Sequence, residues 1–161
     1  MSAYAQGSSV PIANSLGELD KLVSKHGATG FAYGRDDQAE ATKVMFRIAD
    51  RMIRFTVFKP KAADFRRSPG NATYRTPDAA QRFADAEERR RWRALVLVVK
   101  ALLVGVSDGI ISLSDAFLAF TVLPSGETAG GWLEPQLDTI YATATMPALL
   151  PGGDVRAAIE S

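Results

Sequence analysis

The sequence predicts an α+β domain: an N-terminal helix, a three-stranded antiparallel β-sheet, a long central helix and two further C-terminal helices packed on one face. Three observations predict it. Apolar and polar residues alternate through "KVMFRIADRMIRFTVF", Lys43 to Phe58, which is the period of half-buried paired strands. From Phe83 to Val106 apolar residues recur every three or four positions, the spacing of a helix that buries one stripe. Turn and cap residues then divide the chain between these segments.

Residues 1–13 are small and polar and read as a flexible N-terminal segment. A single domain is expected over 14–152, and 153–161 form a C-terminal tail. In "SLGELDKLVSKHG", Ser15 and Glu18 have capping-box spacing, Leu16, Leu19, Leu22 and Val23 form one stripe, and Gly27 ends the helix. "ATGFAYG" reads as a short strand closed by the turn-like "RDDQAE". In the hairpin, Val44, Phe46, Ile48, Ile53, Phe55 and Val57 form the apolar face. Lys43, Met45, Arg47, Met52, Arg54, Thr56 and Phe58 alternate with them.

A turn centred between Asp50 and Arg51 pairs Ile48 with Ile53, Phe46 with Phe55 and Val44 with Val57, which keeps the apolar set on one side. The same register sets Arg47 opposite Arg54, and Lys43 opposite Phe58, on the outer face. Pro60 ends the hairpin, and residues 59–77 form a long basic loop. Pro77 introduces the long helix, with Asp78 in its first turn, to about Val106. Ser112 or Ser114 caps a short helix through Val122. The last helix covers about Thr128 to Ala144, with Pro135 in its first two turns.

A chain of 161 residues is long enough for one core without staples. It has no cysteine, which excludes disulfides, thiolate nucleophiles and cysteine-held metals. "MSAYAQGSSVP" lacks the basic start and apolar stretch of a signal peptide. The apolar run from Ala94 to Val106 is broken by Lys100 and too short to span a bilayer. A cytoplasmic protein with no membrane partner is expected, in the host cytoplasm if phage-encoded.

Catalytic chemistry finds little support. The single histidine, His26, sits at a helix end, where an imidazole commonly serves a last carbonyl. The adjacent acids Asp36–Asp37 and Glu87–Glu88 read as a turn and a helix face rather than metal ligands. Phosphate-binding glycine loops and a nucleophile elbow are both missing. The expectation is a non-enzymatic protein with no metal and no cofactor.

Net charge is +1, but its distribution is uneven. Lys43 to Arg93 holds 14 Lys/Arg against six Asp/Glu, while the remainder holds five against 12. Such asymmetry points to an anionic partner, or to pairing between opposite parts of the chain or of neighbouring subunits. Met45, Met52 and Phe58 beside Arg47 and Arg54 give apolar area next to cations, and aromatic platforms with cationic tracks bind single strands. The loop interleaves Lys59, Lys61, Arg66, Arg67 and Arg75 with Phe65 and Tyr74, the composition of a strand-wrapping arm or of a solvated surface loop. In the long helix Trp92 belongs to the buried stripe, while Arg89 and Arg93 share another face and extend the basic surface.

"HGATGFAYGRDD", "RMIRF", "RRRWRALVLVVKALL" and "FLAFTVLPSGETAGGWLEPQLDTIYATATMPALLPG" together resemble an uncharacterised family of small phage- and prophage-encoded proteins, over about residues 14 to 152. The resemblance implies replication, recombination or host-interaction roles and carries over no site residues. The element order is also similar to the core of phage single-strand annealing proteins, a likeness of fold alone.

The leading expectation is therefore a single-stranded DNA-binding, annealing or recombination accessory protein. It would bind through Lys43, Arg47, Arg54, Phe58, Lys59, Lys61, Arg66 and Arg67, extended by Arg89 and Arg93, and would form a homo-oligomer. The alternative is a phage structural or host-protein-interaction protein, an inhibitor for instance, that self-assembles through complementary basic and acidic surfaces.

Overall fold

A computed structural model describes residues 11–68, 70 and 73–145. The expectations for the flexible N-terminal segment before residue 11 and for the "MPALLP" ending and tail lie outside the described residues. Strands β1 (Gly30–Asp36), β2 (Ala41–Ile48) and β3 (Arg51–Phe58) form one antiparallel sheet in the order β1-β2-β3. Helices α1 (Ile12–Lys25), α2 (Pro77–Ser107), α3 (Leu113–Phe117) and α4 (Ala129–Thr143) complete the α+β architecture. Among the described residues no helix is long and apolar enough to cross a membrane.

The hairpin has a tighter turn than the sequence reading gives it. Ala49 and Asp50 alone connect the strands, with φ of 47° and 62°, so the loop is a two-residue type I′ turn whose twist suits antiparallel strands. Val44 therefore pairs with Phe55 and Phe46 with Ile53, one step from the expected partners on the same face. The shift is two residues in total, so no side chain changes face, and the alternation alone does not distinguish the two registers. Holding alanine in the left-handed region costs about 1 kcal/mol. Replacing Ala49→Asn together with Asp50→Gly is expected to raise stability by about 1 kcal/mol, read as a higher urea midpoint at unchanged slope. A lower midpoint would contradict the turn assignment.

The core joins the apolar face of the sheet to the helices. Val44, Phe46, Ile48, Ile53 and Phe55 pack in one cluster with Leu19 and Val23 of α1, with Trp92, Val96, Val99 and Leu103 of α2, and with Phe117 of α3. Phe117 meets Phe46 and Phe55 edge-on, with ring centroids 5.8 and 6.5 Å apart, an arrangement favoured by the ring quadrupoles. Trp92 is 1% exposed, as its place in the stripe requires. Phe83 departs from that stripe. It is 48% exposed, and its ring carries the Arg75 guanidinium at 4.0 Å, a cation–π contact.

Helix ends follow local rules in most places. Thr76 caps α2 through Ala79 N–H, with Pro77 at its first position. Ser112 caps α3 and Thr128 caps α4. Gly27 leaves α1 with φ of 91°. The capping box at Ser15 does not form, because α1 begins one turn earlier, at Ile12. Ser15 is buried within the helix with its hydroxyl unpartnered, and Glu18 instead pairs with Arg93 of α2. Ser15→Ala is expected to raise stability by about 1 kcal/mol in chemical denaturation, since it removes a buried unsatisfied hydroxyl and favours the helix.

The short helix ends earlier than Val122. After Phe117 the chain makes a 3₁₀ turn at Leu118–Phe120 and then extends. Val122 N–H donates to Met52 O at 2.8 Å, and Thr121 bridges Ile53. Residues 121–129 fold back as a small turn, with Val122 bridging Thr128. This segment covers the Met52–Ile53 end of the free edge of β3. Helix α4 then leans on the 3₁₀ turn and contributes no buried residue to the core. Gly130 makes that approach possible, because a Cβ there would lie 2.9 Å from Ala119 O.

Candidate nucleic-acid interface

Helices α1, α2 and α3 cover one face of the sheet; on the other, Arg47, Thr56 and Phe58 are exposed and Lys43, Met45, Met52 and Arg54 are half-buried. The observed register determines what stands on it. Lys43 lies opposite Thr56, Met45 opposite Arg54, and Arg47 opposite Met52. The expected Arg47–Arg54 pair is therefore replaced by cation–methionine pairs, with the two arginines on a diagonal. Direct like-charge repulsion is relieved without help from a bound anion, which removes one argument for a ligand. Lys43 likewise does not face Phe58, whose partner is Ala41.

Strand β1 completes the face with Gly30 opposite Arg47, Ala32 opposite Met45 and Gly34 opposite Lys43. A Cβ added at Gly30 or Gly34 would meet nothing within 4 Å. These small residues form a low, open shelf beside the cations, which lets a planar or extended group approach the sheet closely. The sequence carries this signal as small residues at alternate positions of "GFAYG", a pattern that the strand assignment alone passed over.

The basic side chains differ in how committed they are. Arg47 is exposed on the central strand and has no ion pair among the described residues. Lys43 holds Asp36 at 2.6 Å. The lysine hydrogen bond, followed by the Ala39 N–H, holds the Asp36 carboxyl below its ordinary value. Arg54 donates through Nη1 to Gly126 O at 2.7 Å and so ties the 123–127 turn to the sheet, while its Nε is buried without a partner. Phe58 is 58% exposed at the end of β3, and Lys59 beside it is exposed.

The loop after β3 has its own order. Lys61 pairs with Glu40 at 2.5 Å, which raises the lysine above its usual pKa. Residues Ala62–Phe65 form a 3₁₀ turn, and Arg67 bridges Tyr74. Arg75 organises the segment from its centre: its guanidinium donates to Phe65 O, Arg67 O and Ser68 Oγ at 2.9, 3.1 and 3.2 Å. Spending Arg75 internally leaves Arg66 and Arg67 exposed on the surface.

The arginines of α2 lie elsewhere. Trp92 and Val96 on this helix pack in the core against the sheet's apolar face, so Arg89 and Arg93 belong to the helical layer. The sheet separates them from Arg47 and Arg54. Arg93 is engaged by Glu18 and Arg89 is half-buried. Their expected continuity with the outer face is corrected by this packing. Within α2, Arg90 and Arg91 both donate to Glu87, at 2.6 and 3.2 Å, and Arg91 also reaches Phe58 O at 2.8 Å.

Arg90 first, then Arg91, hold the half-buried Glu87 carboxyl below its ordinary value against the opposing effect of burial. A depressed carboxylate contributes stability above its unfolded pKa and loses it as pH falls through the folded value. Glu87→Gln is expected to cost up to about 1 kcal/mol at pH 7. The gap should close in acid, as read from urea midpoints at the two pH values.

Among the described residues no cluster of His, Asp and Glu is placed to hold a metal ion. His26 Nδ1 lies 2.9 Å from Leu22 O, the local contact its helix-end position predicts. The arrangement offers an open, cationic and partly apolar surface. No family model matches the chain, and no curated protein or solved structure matches it either.

Proposed function

We propose that the chain is a non-enzymatic nucleic-acid-binding protein that lays single-stranded DNA over the outer face of its sheet, as an annealing or recombination accessory factor of a phage or prophage. One observation carries this reading: on the sheet's outer face Arg47 stands exposed at the hairpin-turn end of the central strand, without an ion pair among the described residues, in line with Met45 and Lys43 and beside Met52 and Arg54 of β3. Phosphates would lie along the cations, and bases would rest on the methionines, on the Gly30–Ala32–Gly34 shelf and on exposed Phe58. Lys59, Arg66 and Arg67 continue the track beyond the end of β3. Arg89 and Arg93 are left out of it by their place in the helical layer.

Binding of this kind is electrostatic and largely indifferent to sequence. If about five phosphates are neutralised on a single strand, log affinity should fall against log salt with a slope near −3.5. Fluorescence anisotropy of a labelled oligothymidine, titrated at several salt concentrations, measures it. A flat response, or no retention at low salt, overturns the reading.

A further inference from the structure

Helix α4 stands off the body with an apolar stripe. Leu133, Leu137, Ile140 and Tyr141 fall on one side at helical spacing, with Glu134 and Asp138 along its border. Leu137 is 40% exposed and Tyr141 84%. The stripe continues into a groove of about 480 Å³ against Leu118 and Ala119, with Asp115 on its far rim. From Ala101 to Thr145 the chain has five Asp/Glu and no Lys or Arg. An acidic, apolar helix is therefore left without a partner.

The same chain presents the complementary surface. The outer face of the sheet is basic and partly apolar, with Arg47 and Phe58 exposed beside half-buried Lys43, Met45 and Met52. Sizes agree as well: a helix of 15 residues is about 22 Å long, and strands of eight residues run about 26 Å. The α4 of the same molecule is held away from this face. Its base is fixed by the close approach of Gly130 to Ala119, beside Phe120, whose ring stacks on core Phe55 at 4.2 Å.

We propose that α4 of one copy docks across the outer sheet face of a second copy, placing its apolar stripe on Met45, Met52 and Phe58 and its carboxylates near Lys43 and Arg47. The surfaces joined are different ones, so the contact is head-to-tail and propagates from copy to copy. Self-association of this kind does not depend on the nucleic-acid reading, although both use the same face.

Sedimentation velocity on nuclease-treated, nucleic-acid-free protein tests it. At about 50 mM salt the protein should associate with rising concentration, and at about 0.5 M salt the association should weaken by about tenfold or more. Arg47→Glu, which spoils the sheet face, and Leu137→Arg, which spoils the helix, should each abolish association alone. Mixing the two variants should restore a dimer and nothing larger, because each retains the half the other lacks. Tyr141→Asp, at an 84% exposed position, serves as a second helix variant if Leu137→Arg alters the far-UV spectrum. A monomer at every concentration in low salt overturns the proposal, as does a mixture that stays monomeric or an oligomer insensitive to Arg47→Glu. Oligothymidine binding by a protein that remains monomeric would sink this inference while leaving the proposed function standing.

Discussion

Trp92→Ala is expected to cost 3–5 kcal/mol, the range for truncating a fully buried large aromatic. Trp92 is 1% exposed and sits where the central helix meets the sheet. Its removal takes away apolar burial and leaves a cavity bordered by groups from several elements, which backbone relaxation fills only in part. Against a typical total stability of about 5–15 kcal/mol this is a large fraction, and the melting temperature should drop by about 10 °C or more. The other tryptophan supplies the control. Trp132 is 49% exposed on α4, and Trp132→Ala should change stability by less than about 1 kcal/mol. Urea unfolding of both variants, followed by circular dichroism, separates them. Similar costs for the two would contradict the assignment of one to the core and the other to the surface.

Reversing three charges along the proposed track, Arg47→Glu with Lys59→Glu and Arg66→Glu, is expected to weaken single-strand binding by about 100-fold near 0.1 M salt. The figure follows from counterion release. Each phosphate contact on a single strand contributes about 0.7 to the salt slope, so losing three of five moves it from about −3.5 to about −1.4. Arg89→Glu, made on the helical layer, should change affinity by less than about threefold. Anisotropy at nanomolar protein measures both. Equal losses from the sheet and helix variants would show that binding follows net charge and not this face.

Much of the architecture was legible because it rests on periodicity. Alternation through Lys43–Phe58 identified the strands and the buried face, and three-and-four spacing placed Trp92 in the core. Pro77, Ser112 and Gly27 marked boundaries through backbone chemistry that acts locally. The register was harder to read, since pairings two residues apart put the same side chains on the same faces. Only the left-handed Ala49–Asp50 pair settles it, and neither "AD" nor its neighbours carries the Asn-Gly type of signal that announces such a turn.

The basic surface was legible as composition and not as geometry. Its cations fall on both sides of the sheet because α2 shows arginines away from its buried stripe, and a charge count along the chain cannot see which layer each one occupies. Phe83 shared the spacing of the stripe and still left the core, since Arg75, from a loop of no regular period, offered its ring a partner. The carbonyl of Met52 likewise drew Val122 out of the expected helix into a bridge. These are contacts between segments distant in sequence, and no local pattern encodes them.

The short bridge at Thr121–Val122 makes the two borders of the sheet unequal. Beside β3 the Met52 carbonyl is taken by Val122 and Ile53 is bridged by Thr121, whereas β1 ends the sheet with its outer row of N–H and C=O groups facing no strand among the described residues. A further strand is thereby obstructed at the turn end of β3 and meets no such obstruction beside β1 among the described residues. Gly30 and Gly34 lie along that border, with Arg35 and Asp36 at its end, and low strand propensity and charge are the means by which proteins keep such borders from pairing with one another. One border is thus blocked at its end by the chain itself, and the other is guarded by residues poor at adding strands.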